Sequence, residues 1–277
     1  MNLAPSSYYY RPLTDLQAQE QSDALLRERI EQLQQDFPGY GYRRLGQQLR
    51  REGIVVNEKK IRRVQRKYQL FPNPLAQFQN RHHRFESQPQ DLSESAGRAD
   101  PDGNQPGLDR RFTYIRILKG YVFLAAILDR YSRKVIGWAI SKRIDAELCV
   151  AALKIALQER QPPPGCIHHS DRGVQYACRE YVTLLEQAQM QISMSRTANP
   201  YDNAHMESFF KTLKYEEVHL ANYESYDDVL QRVPHFIEQV YNRKRLHSAL
   251  GYLPPEEYEM AIQSTTKTAG RPSLKSR

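Results

Sequence analysis

Two acids, Asp171 and Glu207, have 35 residues between them and offer the one piece of chemistry that local spacing suggests. Asp171 ends the strand-like run Cys166-Ile167-His168-His169-Ser170-Asp171. Glu207 lies inside the helix-like run Tyr201-Asp202-Asn203-Ala204-His205-Met206-Glu207-Ser208-Phe209-Phe210. A carboxylate at a strand end and another on a helix can converge on one hard cation. Two such cations can clamp the attacking and leaving oxygens of a phosphoryl transfer, with no protein nucleophile. Taken singly the residues are ordinary: a strand-end Asp is more often a turn or cap residue, and a helical Glu more often a solvated charge.

The elements that must position this pair follow from periodicity. Strand-like runs cover Phe112 to Leu118, Tyr121 to Leu128 and Lys134 to Ser141, and their short connections predict antiparallel hairpins. A helix is predicted from Asp145 to about Glu159, ended by Gln161-Pro162-Pro163-Pro164-Gly165. The strand Cys166 to His169, a helix over Arg179 to Gln189, the strand Gln191 to Ser195 and a helix over Asn203 to Lys214 follow. The order βββαβαβα predicts an α/β unit with a mixed sheet and helices on its faces, and by pattern alone admits more than one such fold.

Upstream, helical spacing covers Asp23 to Gln35 and Tyr42 to Arg51, and a third helix starts after the N-cap candidate Asn57 and runs to Tyr68. Two short helices around a turn containing Gly53 suit a helix-turn-helix. Ten Lys or Arg residues lie between Arg43 and Lys67 against two acids, Glu52 and Glu58. On the third helix Lys59, Lys60, Arg62, Arg63, Arg66 and Lys67 leave Ile61 and Val64 for a core. From charge alone a solvated helical face explains this as well as phosphate contact does. Pro72 to about Arg110 reads as a linker. The expected divisions are 1–71, a helical module; 72–110, a linker; 111–262, an α/β core; and 263–277, a basic tail.

The 277 residues carry 40 Lys and Arg against 32 acids, a net charge of +8, which suits a polyanionic partner. Cys149, Cys166 and Cys178 form no CxxC pair. Without a secretory signal or an apolar run of about eighteen residues, the reading is a reduced cytoplasmic protein, with no membrane span and no structural zinc.

The phrases His169-Ser170-Asp171-Arg172-Gly173 and Asn199-Pro200-Tyr201-Asp202-Asn203 with Glu207 resemble the DDE transposases of bacterial insertion sequences. The likeness is to the second-reading-frame product of elements that make their transposase from two overlapping frames, relatives of retroviral integrase. Tyr40-Gly41-Tyr42-Arg43-Arg44-Leu45, then Arg51-Glu52-Gly53-Ile54 and Asn57, is similar to the helix-turn-helix-like module that precedes this catalytic domain. Tyr241 to Pro255 resembles its closing motif.

The resemblance implies a ribonuclease-H-like mixed sheet with flanking helices, preceded by the small helix-turn-helix-like module. It also implies a polynucleotidyl transferase that cuts at element ends and joins the 3′ hydroxyl to another phosphodiester. Asp171 and Glu207 would be the second and third members of an acidic triad holding two divalent ions, Mg2+ or Mn2+ by hardness. DNA contacts would fall to Arg43, Arg44, Lys59, Lys60, Arg62, Arg63 and Arg66, to Lys211 and Lys214 past Glu207, and to Arg243, Lys244 and Arg245. The implied partners are element-end and target DNA, further copies of the chain assembled on DNA, and a first-frame transposase segment. The expected location is the nucleoid.

One part of the pattern is broken. The first triad Asp belongs to a Trp-x-x-Asp-x-Thr-Tyr motif on the first strand; here Thr113-Tyr114 is present, but the Asp position holds Arg111 and the Trp position Leu108. A guanidinium cannot ligate a cation and repels it. Asp109 keeps the same strand face but lies about 7 Å along the axis, so rescue by it requires a bulge or an altered strand start. The genetic code offers another account. The last two bases of each codon for Gln105 to Arg111, joined to the first base of the next, include the reading Asn-Gln-Val-Trp-Thr-Ala-Asp. That string restores both missing residues directly before Phe112, as expected of an out-of-frame segment between two compensating frame changes.

Bland readings stand beside the sharp ones. Trp138 reads as core, one of His168 and His169 faces the sheet interior, and Asn199 and Asn203 form turns or meet an end base. A DNA-binding relic without chemistry, and a ribonuclease-H-like nuclease acting on hybrids, are the rival functions; metal-dependent strand transfer separates the enzyme from both.

Overall fold

A computed structural model describes residues 16–72, 107–170, 178–194 and 204–269, and of Met194 and 265–269 the backbone alone. Asp171, Asn199 and Asn203 lie outside the described residues. The chain divides into two compact units, 1–76 and 77–277.

In the first unit α1 (Leu16–Asp36), α2 (Tyr42–Arg51) and α3 (Glu58–Lys67) enclose a small core. Leu26, Ile30 and Leu33 recur at helical spacing on α1 and are buried with Leu45 and Leu49 of α2 and Ile61 and Val64 of α3. Asn57 caps α3 as its sequence suggests, its side chain accepting from the Lys59 amide at 2.8 Å. Gly53, at φ +81°, turns the chain after α2 in the left-handed region that favours glycine.

The second unit is built on a five-stranded sheet in the order β3-β2-β1-β4-β5. β1 (Gly107–Ile117), β2 (Gly120–Asp129) and β3 (Val135–Ser141) form the antiparallel meander, and β4 (Ile167–Ser170) and β5 (Gln191–Met194) continue parallel to β1. Helices cover both faces, in keeping with the ribonuclease-H-like layout. Along β2, Leu124, Ala126 and Leu128 point to one face and Ala125 and Ile127 to the other, so this central strand is apolar throughout.

On one face α4 (Ala146–Arg160) and α5 (Arg179–Gln187) pack. α4 sits so close to β3 that a Cβ on Gly137 would collide with the Ala152 carbonyl oxygen. On the other face lie α6 (Ala204–Leu213), α7 (Tyr226–His235) and the π-helical stretch Phe236–Asn242. α6 presents Met206, Phe209, Phe210 and Leu213 to the sheet at i, i+3, i+4 and i+7, each burial stabilising by about 1.5–3 kcal/mol. Trp138 is partly buried against this same core. Among the described residues no helix is long and apolar enough to cross a membrane.

Two expected boundaries are corrected. β1 begins at Gly107, so 107–110 are strand rather than linker: Leu108 pairs with Asp129 of β2 and with His168 of β4, and this pairing overrides the polar composition. The last helix, α8 (Pro255–Ala269), runs past residue 263, where a tail was expected to begin.

Candidate active site

α6 brings Glu207 to the sheet because its apolar stripe docks on the face that carries Ile115 of β1. Glu207 follows Met206 and so emerges at the border of that stripe, half-exposed. Arg111, two pleats before Ile115, points to the same face and comes up beneath it. Its Nη1 donates to Glu207 Oε1 at 2.5 Å, with the two side chains 38 % and 44 % exposed. The first-strand position and the helical acid therefore do converge, but as an ion pair. Two further cations stand close by: Lys211, exposed one turn on from Glu207, and Lys214, whose ammonium lies 4.7 Å from the centroid of the Tyr114 ring. Burial, and secondarily Arg111, lower the proton affinity of Lys214.

Asp109 is not offered to a cation. It is 1 % exposed, and Arg130, from the β2–β3 turn, grips it with Nη2 at 2.6 Å and Nε at 3.2 Å from Oδ1. β1 forms no bulge here, and Asp109 stays in register opposite Leu128. His205, in the first turn of α6, is pushed down to about 4, chiefly by burial and then by Arg133, with Asp109 acting in the opposite sense. Arg110, on the opposite face, is buried with its guanidinium carbon 4.0 Å from the Tyr181 ring centroid. His168 meets the Tyr181 hydroxyl at 2.9 Å and His169 meets Ser193 Oγ at 3.0 Å, so both histidines are buried packing groups. Burial, reinforced by Arg110, holds His168 well below its ordinary pKa.

The remaining cations divide sharply. Arg245 is buried, and its Nε and Nη2 donate to the two carboxylate oxygens of buried Glu216 at 2.8 and 2.7 Å. That placement corrects the expectation that it meets DNA. Arg243 and Lys244 are exposed, Arg243 bonding to Glu256 and Gln239. In the first unit Arg63 chelates buried Asp23 of α1 at 2.7 and 3.0 Å, and Lys60 reaches Ser22 at 2.6 Å; both brace the core. Lys59, Arg62 and Arg66 stay exposed along one side of α3, Arg62 over the ring of Tyr42 at 5.1 Å. Arg43 also lies over Tyr42, and Arg44 over Tyr40.

Sequence reasoning missed Asn242. Its buried amide donates to the carbonyl of Val135 and accepts from the amide of the same residue, closing the free edge of β3 as a strand would. No local signal marks it, because its partner lies 107 residues away.

Comparison with known proteins gives this geometry a family. Models of the integrase core domain match residues 111–200 and 188–255, and a model of an HTH-like domain matches 20–74. The transposase for insertion sequence element IS904 of Lactococcus lactis is 34 % identical over 240 residues, covering 85 % of this chain and 93 % of that one. The chain belongs to the transposases of bacterial insertion sequences. Transposase InsF of IS3A from Escherichia coli is 36 % identical over 224 residues, covering 79 % and 76 % of the two chains. A 31 kDa protein of insertion element IS600 from Shigella sonnei is 36 % identical over 222 residues, covering 79 % and 80 %.

The transposase core is thus of the polynucleotidyl-transferase type, and its HTH-like and integrase domains make DNA its partner. These relatives come from insertion elements, which does not favour the hybrid nuclease. Arg111 on β1 holds Glu207, and among the described residues, which do not include Asp171, no group of three His, Cys, Asp or Glu side chains is arranged for a metal ion.

Proposed function

We propose that this chain is built to cut DNA at insertion-element ends and to transfer the 3′ hydroxyl to a target phosphodiester, with the chemistry blocked at Arg111. The observation that carries this reading is the 2.5 Å contact of Arg111 with Glu207. It puts the first-strand position and the helical acid within reach of one another, as a shared cation site requires, and fills the position with a charge of the wrong sign. In the proposed intact site an aspartate in place of Arg111, together with Asp171 and Glu207, would hold two ions, Mg2+ or Mn2+, which would supply activation of water or a 3′ hydroxyl and charge stabilisation of the leaving oxygen. In the present chain no step runs through them. The chain's own part is binding: exposed cations of α2 and α3, with Lys211, Lys214, Arg243 and Lys244, take phosphates of element ends and target. Assembly of several copies on DNA, with a first-frame segment, at the nucleoid, completes the proposal.

The out-of-frame reading of residues 105–111 defines the test. Gly107→Val, Leu108→Trp, Asp109→Thr, Arg110→Ala and Arg111→Asp are introduced together, and the chain is assayed on matched element ends with its first-frame partner. Metal-dependent cleavage or strand transfer should appear, and the unrepaired chain should show none above background. A repaired chain that folds and binds ends yet leaves them uncut would sink the reading. Vigorous cutting by the unrepaired chain, lost on Asp109→Asn, would make Asp109 the third ligand instead.

A further inference from the structure

The contact between Arg111 and Glu207 has a second meaning, which rests on the reading of Glu207 as a metal ligand. A carboxylate cluster without its ion repels itself and repels a phosphate, and the family's ion relieves both. Here Arg111 pairs with Glu207, Lys214 is close enough to Arg111 for its proton affinity to be lowered by it, and Lys211 follows Glu207 by one turn of α6. Arg111 is anchored in β1 by its in-register pairing with Ala126, so its charge arrives with the fold rather than from solution. A guanidinium is planar with five N–H donors, and the described contact with Glu207 runs through one nitrogen, Nη1.

We propose that Arg111 is a built-in substitute for the divalent cation: it neutralises Glu207 and closes the site to Mg2+ and Mn2+. The acidic, ion-requiring end of the core thereby becomes a fixed cationic one. A DNA phosphodiester can approach it with no divalent ion present, so DNA binding and metal binding, coupled in an acidic site, are uncoupled in this chain. The guanidinium cannot perform the ion's second task, because it lowers no water pKa and bridges no attacking oxygen.

The test is Mn2+ binding to the full chain, followed by electron paramagnetic resonance of the free ion and by thermal unfolding with and without Mn2+. The unaltered chain should show no Mn2+ site that Glu207→Gln removes, and no Mn2+-dependent rise in Tm beyond that of the Glu207→Gln variant. Arg111→Asp should gain a site, about tenfold or more tighter than any in the unaltered chain. That gain should vanish in the Arg111→Asp, Glu207→Gln double variant. Should Arg111→Asp fail to fold, Arg111→Gln removes the charge with little change of shape and should also admit Mn2+. A Glu207-dependent Mn2+ site in the unaltered chain would overturn the proposal, as would a folded Arg111→Asp or Arg111→Gln chain that gains none. The transferase reading fails separately. A Mn2+ site in Arg111→Asp without strand transfer by the five-residue repair would sink that reading alone, and strand transfer by the repaired chain with Mn2+ already bound to the unaltered one would sink this proposal alone.

Discussion

At the scale of single residues, what an arginine does is decided by the acid it meets. Arg111, Arg130 and Arg245 are each paired, with Glu207, Asp109 and Glu216. The first pair is half-exposed and contributes little stability on its own. The third is buried on both sides, and removing one partner leaves an uncompensated charge in the interior. Arg245→Ala is therefore expected to cost about 3–5 kcal/mol in urea unfolding, the range for breaking a buried pair. Lys244→Ala, one residue away and exposed, should leave stability within about 0.5 kcal/mol. Equal, small effects of the two substitutions would show that Glu216 is solvated when its partner is gone.

At the scale of elements, α3 carries its cations on two sides with different duties. Lys60 and Arg63 turn back to Ser22 and Asp23 of α1, while Lys59, Arg62 and Arg66, at i, i+3 and i+7, form the exposed stripe. Each cation that neutralises a phosphate adds about 0.9 to the slope of log affinity against log salt. Replacing Lys59, Arg62 and Arg66 by Ala should lower that slope by roughly 2.7 on duplex DNA and leave the first unit folded. Replacing Lys60 and Arg63 should instead lower the melting temperature of the first unit, because Asp23 loses its partners in a buried position. Unchanged slopes in the first variant would return this face of α3 to the role of a solvated surface.

At the scale of the whole molecule, the second unit carries a pH dependence set by two histidines held neutral inside it. His168 lies well below its ordinary pKa and His205 is pushed down to about 4, burial being the first cause in both. As pH falls through about 6.5 the unfolded chain takes up these protons and the folded chain does not, so stability is lost. It is lost progressively between about 6.5 and 4 at His205, and further down at His168; above 6.5 these groups leave stability flat. Arg133, Arg130 and Asp109 act on His205, and the two guanidinium groups outweigh the one carboxylate. Melting temperatures from about pH 7.5 to 4.5 should therefore fall on the acid side, and His205→Asn should flatten part of the fall. A profile level down to about pH 5, or unaltered by His205→Asn, would mean that the imidazole is solvated and protonates in place.

The sequence by itself determined what depends on neighbours in the chain. Periodicity located α2, α3, β2, β3 and α6 to within a few residues and β1 apart from its start, and Asn57 caps its helix as its side chain and spacing suggest. Two motifs and Glu207 indicated the transposase family without any contact being known. Tertiary structure alone decided the rest, because it depends on pairing across long separations. Gly107 to Arg110 became strand through β2 and β4, Asp109 was claimed by Arg130, and Arg245 was drawn inside by Glu216. The π-helical turns Lys214–Val218 and Phe236–Asn242 have no periodic signature of their own. A charge pattern states how many cations a helix carries; only the packing of α1 against α3, and of α6 against β1, says which ones are left exposed.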